Sequence, residues 1–84
     1  DKLNKKLFVV AIPALEKKGA TVVYDTKTDP NNPVLIATKG KNEYRFPMNK
    51  SIAFVNGREV QLSGVSLHNT IEPYIPQDAV NLVK

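Results

Sequence analysis

The segment AFVNGREVQL, residues 53–62, decides the architecture because it contains the clearest turn signal in the chain. The dipeptide Asn56-Gly57 separates two apolar-flanked runs, which is typical of a two-residue turn between antiparallel strands. Such a turn places the aliphatic residues of both strands on one side of a sheet, namely Ala53, Val55, Val60 and Leu62. The other side mixes Ile52 and Phe54 with the polar residues Glu59 and Gln61. The segment therefore predicts a sheet that is covered on one side and partly wet on the other.

Three further strands are predicted upstream of this hairpin, at residues 21–26, 34–40 and 43–48. The first two are rich in β-branched residues, and the third alternates polar and apolar side chains. Residues 29–33, DPNNP, form a turn between the first two strands because proline interrupts the hydrogen-bonded ladder. Pro47 predicts either an edge position for the third strand or the end of that strand.

Two short helices are predicted to pack on the sheet. Residues 11–18 begin with Pro13 in the first turn and end before Gly19, the usual punctuation of a helix. Residues 74–84 form a second helix with Pro76 near its start. Residues 63–73 before it form either a loop or a loop that contains a short strand. Helices this short need a sheet beneath them. The predicted fold is α+β, with a twisted antiparallel sheet of about five strands and two short helices packed on it.

Size and composition restrict the function. The 84 residues form a single domain, 1–84, which is too small for a deep cleft between lobes. Cysteine is absent, which excludes disulfides, thiolate zinc sites and cysteine nucleophiles. The apolar run at residues 7–12 is too short to span a membrane.

The net charge of +4 arises from twelve basic and eight acidic residues, and it favours either an anionic partner or an ordinary basic surface. Only Arg45 and Arg58 are arginines, the residue that nucleic-acid recognition prefers. We therefore expect no nucleic-acid partner.

No constellation of catalytic residues is evident. His68 is the only histidine, and no pattern supplies it with partners for a metal site or a catalytic relay. Residues 25–32, DTKTDPNN, offer oxygen donors, but Lys27 occupies a position where a calcium loop needs an oxygen ligand, so a turn is favoured. No pattern brings glutamates together in a pocket; they are Glu16, Glu43, Glu59 and Glu72. We predict a protein that is not an enzyme and has no cofactor or metal.

Three segments, in order, resemble the copper amine oxidase N-terminal-like domain, also called the stalk domain. They are LEKKGATVVYD at 15–25, SIAFVNGREVQLSG at 51–64 and TIEPYIPQDAVNLV at 70–83. The resemblance covers residues 8–84. Tyr24 stands where the family usually has tryptophan, and the first proline is displaced to Pro13. The copper in the family name belongs to a different domain, so no metal site is implied.

The resemblance implies a non-catalytic accessory module of a secreted or surface-bound bacterial protein, acting as a spacer or an interaction surface. It also implies a covalently attached neighbouring domain, this chain being a fragment or one unit of a larger protein. The expected partner is a protein or an anionic cell-wall polymer. The candidate interaction surface is formed by Phe54, Arg58, Arg45 and Lys50. The alternative function is a protease inhibitor or pro-segment that pairs an edge strand with an enzyme.

Overall fold

A five-stranded antiparallel sheet forms the larger layer of the protein, seen in a computed structural model that describes residues 8–68 and 72–84. Its strands follow the chain in order, each paired with the next: β2 (Thr21–Asp25), β3 (Val34–Lys39), β4 (Asn42–Pro47), β5 (Ile52–Val55) and β6 (Arg58–Gln61). The helices are α1 (Ala11–Lys17) and α2 (Gln77–Asn81). The predicted α+β class, with five antiparallel strands and two short helices, is confirmed.

The hairpin formed by β5 and β6 has the predicted register. Ala53 pairs with Val60, and Val55 pairs with Arg58. Asn56 and Gly57 both have positive φ, 53° and 85°, as a two-residue type I′ turn requires. Asparagine and glycine tolerate this conformation better than other residues, so the dipeptide stabilises the turn directly.

A second, two-stranded sheet was not predicted. β1 (Phe8–Val10) pairs antiparallel with β7 (Tyr74–Pro76), with Val9 opposite Ile75. β7 occupies the first three residues of the segment predicted to be entirely helical, and α2 follows it directly. Each strand of the pair leads into a helix, so the pairing brings α1 and α2 into contact.

Pro47 lies at the last residue of β4, which is the middle strand of the sheet. The strand-end interpretation is confirmed, and the edge interpretation is wrong. The ladder between β4 and β5 pairs only Tyr44 and Arg45 with the next strand, so the missing amide of Pro47 removes none of that pairing. Among the described residues, β2 and β6 are the outer strands of this sheet.

The core lies between the larger sheet and the layer formed by both helices and the smaller sheet. Alternate residues of the central strands point into it, and Phe46 and Leu35 are completely buried. The helices contribute Leu15, Ala79 and other small or aliphatic side chains to the same cluster. Among the described residues, no helix is both long and apolar enough to cross a bilayer.

Candidate functional site

One side of the larger sheet carries a row of three apolar and two charged side chains that the helices do not cover. The pairing of the strands places its five members side by side across the whole sheet: Val23, Ile36, Arg45, Phe54 and Glu59. We call them the open-face row. Val23 is 56% exposed, and Ile36 and Phe54 are half-buried. Half-buried Val34, Pro47 and Ile52 lie on the same side, so apolar surface extends beyond the row.

Arg45 is the only cation of the open-face row. Its guanidinium lies 3.4 Å from the carboxylate of Glu43, two residues earlier on the same strand. Both side chains are almost half exposed, so water screens this ion pair and its contribution to stability is small. The guanidinium can therefore exchange Glu43 for another acceptor at little cost.

The structure brings together two of the four residues predicted to form an interaction surface. Arg45 lies directly opposite Phe54 on the neighbouring strand. Arg58 lies opposite Val55, and alternation along the strands places it on the other side of the sheet from Phe54. Lys50 is exposed in the connection between β4 and β5, where its carbonyl accepts a hydrogen bond from the Ser66 amide.

Arg58 contributes instead to a groove at the hairpin end of the sheet. The groove has a volume of about 530 Å³. Its lining combines apolar side chains with polar ones: Tyr44, Val55, Val60 and Leu82, then Asn42, Asn56, Arg58 and Lys84. Leu82 and Lys84 form one wall. Lys18 Nζ donates to the Val83 carbonyl oxygen at 3.2 Å, and Lys39 Nζ donates to the main-chain oxygen of Lys84 at 2.8 Å.

His68 is exposed, and its imidazole Nδ1 forms a hydrogen bond with the Tyr24 hydroxyl. The two rings also pack in a tilted arrangement, with centroids 5.7 Å apart. Burial raises the pKa of the Tyr24 hydroxyl. Within residues 8–68 and 72–84, no three side chains of histidine, cysteine, aspartate or glutamate gather in a way that would hold a metal. The contact attaches the segment that contains His68 to β2.

The carboxylates of residues 25–32 are used within the turn. Asp25 accepts hydrogen bonds from the main-chain amides of Lys27 and Thr28, at 3.1 and 3.0 Å. Asp29 accepts another from the Asn31 amide. The bond from Thr28 is the main cause of the lowered pKa of Asp25. The turn interpretation is confirmed, because these oxygens stabilise the local backbone.

Sequence reasoning missed Val23 and Ile36 of the open-face row, and it missed the whole groove. Strands β2 and β3 are apolar on both sides, so their sequences do not show which residues face the core. Val23 and Ile36 could have been assigned only from their cross-strand partners. The groove depends on the position of residues 82–84 beside the hairpin, a contact for which the sequence holds no local signal.

A scan of protein-family models, a search of curated proteins and a search of solved structures find no match to this chain. The resemblance to the stalk domain, and the bacterial cell-surface location that it implies, stay predictions.

Proposed function

We propose that this protein is a non-catalytic accessory module of an exported bacterial protein, and that it docks against a neighbouring domain through the open-face row. The observation that carries the proposal is the cluster of apolar side chains on a sheet side that the helices leave uncovered: Val23, Ile36 and Phe54 in the row, with Val34, Pro47 and Ile52 beside it. Contiguous exposed apolar surface is typical of interaction sites. The exported setting is supported by the stalk-domain resemblance.

The composition of the row favours a protein surface over a charged polymer. Phe54 and Arg45 lie side by side, and aromatic residues and arginine are enriched among the residues that dominate protein interfaces. Glu43 neutralises part of the Arg45 charge, and Glu59 ends the row. An anionic polymer on this face would approach both carboxylates and meet repulsion.

The test compares the isolated domain with the full-length protein that its gene encodes. A neutral gadolinium chelate broadens NMR signals of exposed methyl groups. We expect it to broaden the methyls of Val23 and Ile36 in the isolated domain and to spare them in the complete protein. Val65, which is 41% exposed outside the row, serves as the reference methyl. Equal broadening of the row in both proteins would refute the docking.

A pair of variants makes the same test specific. Phe54→Asp introduces a charge into the row and should restore broadening of Val23 and Ile36 in the complete protein. Val65→Asp introduces the same charge at an exposed apolar position outside the row and should leave them protected. Loss of protection in both variants would show a general disturbance of the domain and contradict the proposed surface.

An anionic cell-wall polymer is the second candidate partner, favoured by the net charge of +4. Contacts with such a polymer would use exposed lysines, including Lys50, and would weaken as salt rises. We expect a wall-binding module to sediment with purified peptidoglycan or teichoic acid at low salt and to be released at high salt. Absence of retention at low salt would remove this candidate.

The alternative of an inhibitor or pro-segment requires an outer strand that can pair with an enzyme. β2 fits this role better than β6, because β2 contains no lysine, arginine or proline that would protect an edge. A stoichiometric complex with a protease on gel filtration would support this alternative, and migration of both proteins at their separate positions would contradict it.

A further inference from the structure

The groove beside the hairpin lies on the opposite side of the sheet from the open-face row. The polar side-chain groups that remain for a ligand in this groove are nearly all hydrogen-bond donors. The main-chain amide of Glu43 can only donate a hydrogen bond, and its nitrogen lies 2.8 Å from the Asn56 side chain. The acceptor atom of that side chain is therefore the carboxamide oxygen, Oδ1. The Asn56 Nδ2 group therefore donates to Asn42 Oδ1 at 3.0 Å. Both carboxamide oxygens accept within this chain of bonds, and the amide hydrogens of Asn42 remain.

The charged side chains of the groove are also hydrogen-bond donors. Arg58 and Lys84 line it, and none of its lining residues is acidic. The Arg58 guanidinium offers several N–H groups in a planar fork that matches a carboxylate. The groove is therefore electropositive and rich in donors, and an occupant must supply negative charge and acceptor atoms.

The walls below these groups are apolar. Val55 and Tyr44 lie opposite each other on neighbouring strands, and Val60 and Leu82 complete the walls. The volume of about 530 Å³ falls in the range of small-molecule sites, about 300–1,000 Å³. A fully polar anion would leave these walls in contact with water, so the occupant needs an apolar portion as well.

We propose that this groove binds a ligand composed of an apolar chain and a terminal carboxylate. The carboxylate contacts Arg58 and Asn42, and the apolar portion packs against Val55, Val60 and Leu82. This site is independent of the docking proposed above, because the two surfaces occupy opposite sides of the sheet. Two sources share the required chemistry, namely a free medium-chain fatty acid and the carboxyl-terminal end of a peptide.

Titrations followed by NMR test the site and distinguish the sources. The probes are octanoate and the peptide acetyl-Val-Leu, each compared with its neutral counterpart, octanamide or the peptide amide. We expect saturable shifts of the methyl signals of Val55 and Val60 and of the Arg58 Nε–H signal with at least one acid. The neutral counterpart should bind at least tenfold more weakly. Equal binding of acid and amide, or no saturable shift with either acid, would overturn the proposal.

A charge-matched pair of variants tests the role of Arg58. Arg58→Gln should weaken binding of the acid at least tenfold and leave that of the neutral counterpart unchanged. Lys27→Gln removes the same charge at the opposite end of the sheet, in the turn after β2, and should leave both affinities unchanged. If Lys27→Gln weakens binding as much as Arg58→Gln, the attraction is a property of the net charge and the site is wrong. The comparison of acid with amide in the unaltered protein needs no variant and remains decisive if either variant fails to fold.

Discussion

Replacement of Asn56 tests how the hairpin is attached to the rest of the sheet. This residue holds a left-handed backbone conformation, with φ 53°. Its side chain accepts a hydrogen bond from the Glu43 amide and donates one to Asn42, so it connects the turn to β4. Asn56→Ala removes both bonds and places a β-carbon in a conformation that alanine avoids. Asn56→Gly removes the same bonds but tolerates the backbone.

The loss of stability can be worked out from the two hydrogen bonds and from the left-handed backbone conformation. A net hydrogen bond contributes about 0.5–1.5 kcal/mol, so the loss of two exposed bonds costs about 1–2 kcal/mol. The left-handed conformation costs an L-residue such as alanine about 1 kcal/mol more. We expect Asn56→Ala to lower the free energy of unfolding by about 2–3 kcal/mol, which is a large share of the total stability of a small domain. Asn56→Gly should lower it by about 1–2 kcal/mol, because it loses the same two bonds but adopts the left-handed conformation without strain.

Asn49 provides a matched control because it is also left-handed, with φ 64°, and no side-chain hydrogen bond of Asn49 occurs among the described residues. Urea unfolding followed by circular dichroism should show a loss of about 1 kcal/mol for Asn49→Ala and almost none for Asn49→Gly. At about 4–8 °C per kcal/mol, thermal midpoints should rank the four variants in the same order. Equal losses for Asn56→Gly and Asn49→Gly would refute the proposed role of the Asn56 side chain.

Four further predictions address the core and the titrating groups. Phe46→Ala should cost about 3–5 kcal/mol in urea unfolding because Phe46 is completely buried, and Phe54→Ala on the half-buried open face should cost less than half as much. Ser66→Ala should leave the free energy of unfolding unchanged or raise it, since the buried Ser66 hydroxyl has no hydrogen-bond partner among the described residues; a clear loss in the same assay would contradict this. The lowered pKa of Asp25 stabilises the fold above the ordinary aspartate pKa, about 3.9, and this contribution disappears as pH falls through the lowered value. The stability advantage over Asp25→Asn should therefore vanish in acid, as unfolding curves between pH 7 and 2 would show. The raised pKa of Tyr24 stabilises the fold below pH about 10, and that contribution is lost as pH rises through the raised value. The difference in unfolding free energy between the unaltered protein and Tyr24→Phe should decline between pH 9 and 12. A constant difference would contradict a raised pKa of Tyr24.

Features that arise within a few neighbouring residues were predictable from the sequence. The Asn56-Gly57 turn, the register of its hairpin and the five strands of the sheet follow from turn chemistry and from alternation along each strand. The turn at residues 25–32 was predictable for the same reason, since Asp25 and Asp29 bond to amides two or three residues away. Each of these features depends mainly on residues close together in the sequence, so a local pattern is sufficient to predict it.

The tertiary structure alone decided the features that join distant parts of the chain. β1 pairs with β7 across more than sixty residues, and this pairing converted part of a predicted helix into a strand. The strand order decided between the two predictions for Pro47 by placing it at the end of the middle strand, and it assembled the open-face row from residues on five strands. The groove required Leu82 and Lys84 to lie beside Arg58. A sequence pattern records which side chains can be buried together, but only the packed chain decides which of them meet, because many pairings satisfy the same pattern.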